Sequence, residues 1–120
     1  SRFVASKEAS SHPNFKEEVV RATDGSTVLT LKEITPVRML KNSFFQKIAS
    51  LYEKGTDVEE LKLILGKGRA KKGMFEGDLE EGELEIGQIS GLINDILPAA
   101  QIVKNFINEY NQALGLLKRI

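Results

Sequence analysis

Half of the ten glycines in this 120-residue sequence fall between residues 66 and 82. Charge also changes sign along this segment, because its basic residues come first and its acidic residues follow: Lys67, Arg69, Lys71 and Lys72, then Glu76, Asp78, Glu80 and Glu81. Glycine permits left-handed backbone and close approach between backbones, and it weakens a helix. The segment therefore predicts loose backbone or close backbone contacts, and not one continuous helix through the middle of the chain.

The hydrophobic pattern around this segment predicts a mainly helical α+β fold. Apolar residues at helical spacing predict one helix from Pro13 to the Asp24–Gly25 stop and four further helices, which cover residues 44–54, 57–65, 86–97 and 99–117. Residues 27–31 alternate in the manner of a strand, and residues 37–40, after Pro36, can pair back on them. We therefore expect a two-stranded ribbon among helices.

The first residues of the chain predict a strand. Phe3 and Val4 fit a buried strand, and no strand-like residues precede them. We therefore expect residues 1–12 to be the end of a strand with the loop that follows it, and residues 13–120 to be a small, mostly helical domain. On this hypothesis the chain is a fragment of a longer protein.

Composition excludes several kinds of partner and site. The sequence has 17 Lys and Arg and 17 Asp and Glu, so it carries no net charge that would attract phosphates, and nucleic acid is not an expected partner. The absence of cysteine excludes disulfides and thiolate metal sites. No apolar run approaches the ~18 residues that span a bilayer, and residues 1–20 lack the apolar stretch of a signal peptide. We therefore expect no membrane partner and a cytoplasmic protein.

The isolated polar candidates predict no catalytic residue and no metal site. His12 is the only histidine, and a local hydrogen bond at the start of the first helix is its favoured interpretation. The acidic run 76–83 lacks the ligand pattern of a calcium loop and is expected to be a solvated turn. Residues 67–72 could contact a phosphate, but without Walker spacing a surface loop is favoured.

Gly87 and Gly91 lie four residues apart within the predicted helix 86–97. Small residues at this spacing let either a neighbouring backbone or a flat ring approach closely. Helical periodicity is compatible with both interpretations, and both stay open.

Four groups of residues form an ordered set of motifs: Arg2–Ala5 with Glu8 and His12–Pro13, then Thr35–Asn42, then Gly77–Asp78 with Gly87–Asp95, then Pro98–Ala100. In this order and at this spacing they resemble the motifs of the nitronate monooxygenases (2-nitropropane dioxygenases) and the FMN-dependent enoyl reductases. The resemblance covers essentially the whole chain.

This resemblance implies an FMN-binding (β/α)₈ barrel with a small, largely helical domain near its C-terminus, of which the chain would be the C-terminal part. In such barrels the chemistry lies at the C-terminal ends of the strands. Ser1 and Arg2 match positions beside the FMN phosphate. The segment that faces the flavin and the substrate is matched by Glu85, Ile86, Gly87 and Gln88. Glu85 departs from the small residue of the monooxygenases.

The function that the resemblance implies is capping the flavin and substrate site of an FMN-dependent oxidoreductase, of the nitronate monooxygenase or enoyl reductase type. The missing barrel portion of the parent, with the family's catalytic histidine, is the expected partner. We therefore expect the chain alone to be inactive, to bind no FMN, and to form a weak homodimer through its uncovered N-terminal strand or through the predicted helix over residues 86–93. The alternative is an independent helical protein-interaction module.

Overall fold

The computed structural model describes residues 1–119, which form five α-helices, two 3₁₀ helices and a two-stranded ribbon. The α-helices are α1 (Pro13–Arg21), α2 (Ser43–Glu53), α3 (Val58–Leu65), α4 (Arg69–Met74) and α5 (Ala99–Leu117). The strands are β1 (Thr27–Thr30) and β2 (Val37–Leu40), and the 3₁₀ helices are Arg2–Ala5 and Gln88–Leu92. The predicted α+β, mainly helical fold is confirmed. None of the described helices is long and apolar enough to cross a membrane.

Side-chain caps begin three of the helices. The Nδ1 atom of His12 accepts a hydrogen bond from the main-chain N–H of Asn14 (3.1 Å) at the start of α1. Asn42 and Asp57 cap α2 and α3 in the same way, at 3.0 and 2.8 Å. Each cap satisfies an amide that the first turn of a helix leaves unpaired. The local hydrogen bond predicted for His12 is therefore confirmed.

The antiparallel ribbon of β1 and β2 is confirmed and carries a third extended segment around Glu85. Main-chain hydrogen bonds join this segment to β2, from the Leu40 N–H to the Leu84 oxygen (2.9 Å) and from the Ile86 N–H to the Arg38 oxygen (3.2 Å). Successive side chains of an extended segment point to opposite faces. Leu84 and Ile86 therefore share one face, and Glu85 lies on the other.

The ribbon contributes to two hydrophobic cores. The first core consists of Ala5, Phe15, Val19, Ala22, Leu40, Leu84, Ile86 and Ile93. The second consists of Leu31, Met39, Phe44 and Ile48. Met39 and Leu40 are adjacent in β2 and enter different cores because their side chains point to opposite faces. Burying each large apolar side chain contributes about 1.5–3 kcal/mol, so both cores stabilise the ribbon between them.

Close backbone approach explains two of the glycines of residues 66–82, within which α4 is the one helix. Gly73 and Gly82 lie so close that a side chain on Gly82 would overlap the Gly73 backbone. Gly77 has a φ of +80°, and a side chain there would overlap the ring of His12. The segment is thus a compact turn region, as its composition predicts.

Charged residues of this region form hydrogen bonds and ion pairs with other residues of the protein. The Arg69 guanidinium donates to main-chain oxygens at the end of α3 (3.0 and 3.2 Å) and to that of Glu81 (2.9 Å). Lys72 lies 3.6 Å from Asp78, whose carboxylate also accepts two amide hydrogen bonds from the turn that follows. The acidic run forms a turn, as predicted, whereas the surface loop predicted for residues 67–72 is wrong from Arg69 onwards, because α4 begins there.

The predicted N-terminal strand is wrong, because Arg2–Ala5 is a 3₁₀ helix closed by a main-chain hydrogen bond from Val4 (3.1 Å). Phe3, expected to be buried, is 47% exposed. Extended pairing begins later, where Ser6 forms a parallel bridge with Leu97. This contact is distant in sequence, so the local pattern of apolar residues does not reveal it. One of the two surfaces expected for a homodimer, an uncovered strand edge, is therefore absent from this segment, and the homodimer itself stays a prediction.

The predicted helix over residues 86–97 is also wrong, since only Gln88–Leu92 is helical, with 3₁₀ geometry. The Ser90 hydroxyl donates to a main-chain oxygen of α1 (2.8 Å). A side chain on Gly91 would lie 3.1 Å from the backbone of Thr23, just beyond α1. These contacts, with the low helix propensity of glycine, hold a short turn against the end of α1. For Gly91, close packing against another backbone is the correct interpretation.

Candidate functional site

Ser1 and Gly87 are neighbours in the fold although they lie 86 positions apart in sequence. The Gly87 N–H donates a 3.2 Å hydrogen bond to the Ser1 Oγ. A Cβ atom on Gly87 would lie 2.9 Å from the same oxygen, so a side chain at this position would press on Ser1. The structure therefore brings together one residue from each of the two segments that the sequence assigned to the flavin.

Arg2 connects the N-terminal 3₁₀ helix to the loop after the second 3₁₀ helix. Its Nη2 lies 2.6 Å from the Oδ1 of Asp95, and its Nη1 donates to the main-chain oxygen of Asp95 at 2.7 Å. The Arg2 side chain is 18% exposed and the Asp95 side chain is 58% exposed, so the pair lies at the protein surface. Arg2 therefore holds the N-terminal segment in place, and both of its terminal nitrogens contact Asp95.

The other predicted site residues differ in their accessibility. Ile86 is buried in the first core, so only its backbone is available to a ligand. Gln88 is exposed directly after Gly87, and Glu85 is partly buried on the opposite face of its segment from Ile86. The surface that surrounds Ser1 thus includes Gly87 and Gln88, whereas Ile86 supports it from beneath.

Glu83 is a chemically unusual residue that the sequence analysis missed. Burial raises the pKa of its carboxyl to about 7, and the negative charge and side-chain hydrogen bond of nearby Glu85 act in the same direction. The alternation of Glu83, Leu84, Glu85 and Ile86 is the signal that could have revealed it. In an extended segment this alternation places both glutamates on one face. The predicted helix over residues 86–97 obscured that pattern.

A surface cleft of about 570 Å³ lies beside Arg2, between the second 3₁₀ helix and α5. Its lining includes Arg2, Ile89, Leu92, Asp95, Phe106 and Glu109. Ile89 and Leu92 on one side of the cleft and Phe106 on the other are exposed, so both sides are apolar. The ion pair of Arg2 and Asp95 makes one part of the cleft polar. It has the mixed apolar and polar character of a binding surface.

The residues present fit one side of an FMN site. The Ser1 hydroxyl accepts from Gly87 and still has its own proton to donate to a phosphate oxygen. Because Gly87 has no side chain, it leaves space for a ligand beside Ser1. A phosphate needs several donors, and the Arg2 guanidinium is engaged with Asp95. The described residues therefore offer only some of the donors that a phosphate needs.

The fold defines a small, mainly helical α+β unit. The family model for nitronate monooxygenase matches residues 1–109. The chain therefore belongs to the nitronate monooxygenase family, a family of FMN-dependent oxidoreductases.

Two solved structures are similar to the chain. FabK from Thermotoga maritima has 34% sequence identity and a TM-score of 0.87, and the match covers 98% of this chain and 37% of the FabK chain. A methionine-to-alanine mutant of FabK from the same organism has 35% identity and a TM-score of 0.79, with 98% and 34% coverage. The chain thus spans about a third of the length of the FabK chains that it matches.

Proposed function

We propose that this chain forms one wall of the flavin and substrate site of a longer FMN-dependent oxidoreductase, and that a preceding barrel portion of the same polypeptide supplies the rest. The observation that carries the proposal is the 3.2 Å hydrogen bond from the Gly87 N–H to the Ser1 Oγ. It joins the two segments that resemble the flavin-binding motifs of the family. The family match over residues 1–109 and the 37% coverage of FabK support the proposal.

FMN, when bound, supplies the redox chemistry, and the residues of this chain supply position and electrostatics. The Ser1 hydroxyl would hold the phosphate, and Gly87, which has no side chain, would let the flavin ring approach the backbone. Gln88 is exposed beside Gly87, and its amide can donate or accept a hydrogen bond with the substrate. Arg2 keeps Ser1 in position through its ion pair with Asp95.

Glu85 favours one substrate class over the other. A carboxylate near the substrate repels an anionic nitronate, because like charges in a partly buried site raise each other's energy. It does not repel the neutral double bond of an enoyl thioester. We therefore place the parent enzyme in the enoyl reductase branch of the family and not in the nitronate branch.

The test of the proposal uses the longer polypeptide encoded by the reading frame that contains this chain. We expect it to bind FMN in a fluorescence titration, and Ser1→Ala to weaken binding about tenfold, since a hydrogen bond to a charged group contributes about 1.5 kcal/mol. Ser10→Ala, at an exposed position, is the matched control and should leave the Kd unchanged. A frame that encodes no longer protein, or one whose product does not bind FMN, would show that the proposal is wrong.

The substrate class is tested on the same protein. The longer polypeptide should oxidise NADH or NADPH when an enoyl thioester is supplied, and should show no oxygen uptake with an alkyl nitronate. The reverse result would place the enzyme in the nitronate branch.

An independent helical interaction module is the second candidate function. The observation in its favour is that α5 exposes large apolar side chains, among them Phe106 and Tyr110. Production of the 120-residue chain alone in the cell, folded and without FMN, would favour this function over the flavoenzyme.

A further inference from the structure

Lys16 is a buried basic residue to which the proposed function assigns no role. It lies in the first half of α1, and only 7% of its surface is exposed. Lysine is rarely buried to this extent unless its charge is paired with a carboxylate. Lys16 forms no ion pair with any carboxylate of residues 1–119. The fold therefore holds a positive charge below its surface without the usual partner, which is unfavourable in free energy unless other groups bind the ammonium.

Main-chain oxygens bind the Lys16 ammonium in place of a carboxylate. The Lys16 Nζ donates a 2.8 Å hydrogen bond to the Ala9 oxygen and a longer one, of 3.4 Å, to the Lys7 oxygen. Both oxygens belong to residues 7–9, called here loop 7–9, which lie between the N-terminal 3₁₀ helix and α1. An ammonium has three N–H donors on one nitrogen, so it can bind two oxygens of the same loop at once. Lys16 therefore fastens loop 7–9 to α1.

Loop 7–9 is also bonded to the segment at the start of α5. The Lys7 N–H donates a 2.9 Å hydrogen bond to the Leu97 oxygen. The Glu8 carboxylate accepts a 2.6 Å hydrogen bond from the Ala99 N–H, in the first turn of α5. The loop thus has α1 as its support on one side and the start of α5 as its support on the other. Both of its bonds to α1 that involve a side chain come from the one ammonium.

Two routes connect loop 7–9 to Ser1. Along the chain, the loop lies just after the N-terminal 3₁₀ helix, and a side-chain hydrogen bond of 2.7 Å within residues 3–6 stiffens the turn between them. Through space, the segment that the loop bonds before α5 also contains Asp95, which lies 2.6 Å from the Arg2 guanidinium. A displacement of loop 7–9 would therefore reach the N-terminal segment both through its own backbone and through the ion pair.

We propose that Lys16 is a positioning residue of the flavin site, an inference that rests on the proposed function. Its ammonium fixes loop 7–9, and the loop fixes the Ser1 hydroxyl relative to the Gly87 N–H that donates to it. Lys16 acts through the loop and not by contact with FMN. An apolar side chain could fill the same space without burying a charge, but only directional hydrogen bonds to two oxygens specify one conformation of the loop.

The first test measures hydrogen exchange at single amides of this chain by NMR. Lys16→Met keeps an apolar side chain of similar length and removes the ammonium. We expect the Lys7 and Gly87 amides, which bond Leu97 and Ser1, to exchange about tenfold faster or more in the variant. The Leu40 amide, which bonds the third extended segment of the ribbon, is the internal reference. Exchange at Gly87 that is unchanged relative to this reference would overturn the inference.

Ile48→Val is the control for lost stability alone. Ile48 is fully buried in the second core, so the substitution destabilises the protein at a place that has no bond to loop 7–9. It should leave the ratio of Gly87 exchange to Leu40 exchange unchanged. A ratio that changes as much as in Lys16→Met would show that Lys16 contributes stability and not position. If Lys16→Met does not fold, Lys16→Gln, which removes the charge and keeps a donor, provides the same comparison.

The second test measures the FMN affinity of the longer polypeptide by fluorescence titration. Lys16→Met should raise the Kd about tenfold, as the loss of one hydrogen bond to a charged group does, and Ile48→Val should leave it unchanged. A Lys16→Met protein that binds FMN with the wild-type Kd would overturn the inference alone. A wild-type polypeptide that binds no FMN would overturn the proposed function, whereas faster exchange at Gly87 in the Lys16→Met chain would still support the positioning role.

Discussion

The hydroxyl of Ser90 donates a 2.8 Å hydrogen bond to the main-chain oxygen of Val19, and both residues are fully buried. Ser90 also donates its own N–H to the Gly87 oxygen (3.0 Å), which closes the turn between them. The position of Gly87 relative to Ser1 therefore depends on the hydrogen bond that the Ser90 side chain donates to the C-terminal half of α1. Through this bond α1 orients the segment that we propose to face the flavin.

Replacing Ser90 should reduce stability. Ser90→Ala removes a buried hydrogen bond to Val19 and should lower the free energy of unfolding by about 1–2 kcal/mol. Ser50→Ala, on the exposed side of α2, is the matched control and should change it by less than about 0.5 kcal/mol. Urea denaturation of the chain followed by circular dichroism measures both. Equal effects of the two substitutions would show that the Ser90 bond does not stabilise the fold.

Replacing Gly87 should affect activity more than stability in the longer polypeptide. A Cβ at Gly87 would lie 2.9 Å from the Ser1 Oγ, so Gly87→Val displaces Ser1 and intrudes on the proposed flavin surface. We expect turnover per bound FMN to fall at least tenfold and the Tm to change by only a few degrees. Gly115→Val, where a Cβ meets nothing within 4 Å, is the control for the substitution itself. Unchanged turnover with a lower Tm would assign Gly87 to packing alone.

The carboxyl of Glu83 should make stability depend on pH. Its pKa is raised from 4.5 to about 7, first by burial and then by the charge and hydrogen bond of Glu85. Between these two pH values the folded state keeps the proton that the unfolded state has lost. Stability should therefore fall as pH rises from about 4.5 to about 7 and level off above that.

Glu83→Gln removes this titration. The variant should be more stable than the wild type at pH 7.5 by about 1 kcal/mol, a value reduced from the full effect because Glu83 is only partly buried. Glu80→Gln, at an exposed position, should leave the pH profile unchanged. Thermal melts from pH 4 to pH 8 measure the three profiles. A wild-type profile without the decline between pH 5 and 7 would contradict the assignment.

The close approach of Gly73 and Gly82 makes a further prediction. Gly82→Ala places a methyl group onto the Gly73 backbone and should destabilise the chain by about 3 kcal/mol or more, because neither backbone can easily move. Gly115→Ala lies in an open position of α5 and should instead stabilise it by about 0.5–1 kcal/mol. Chemical denaturation of both variants measures the two effects, and a Gly82→Ala protein of normal stability would exclude the close contact.

The sequence predicts those parts of the fold that depend on interactions between residues a few positions apart. The caps at His12, Asn42 and Asp57 are side chains that bond amides two or three residues away, and the helices that follow them are found where the apolar spacing places them. The ribbon is predicted for the same reason, since residue alternation and Pro36 act within a few positions. The motifs that resemble the family are equally local, and the match over residues 1–109 confirms the family.

The sequence alone therefore determined α1, α2, α3 and α5, the ribbon and the family, whereas α4 was not predicted. The tertiary structure decided the conformation of the N-terminal segment and of residues 86–97, because Arg2 bonds Asp95 and Ser90 bonds α1 across long sequence separations. It also placed Gly87 beside Ser1. Local propensity differs between helix and strand by less than about 1 kcal/mol per residue, so a few such distant contacts are enough to override it.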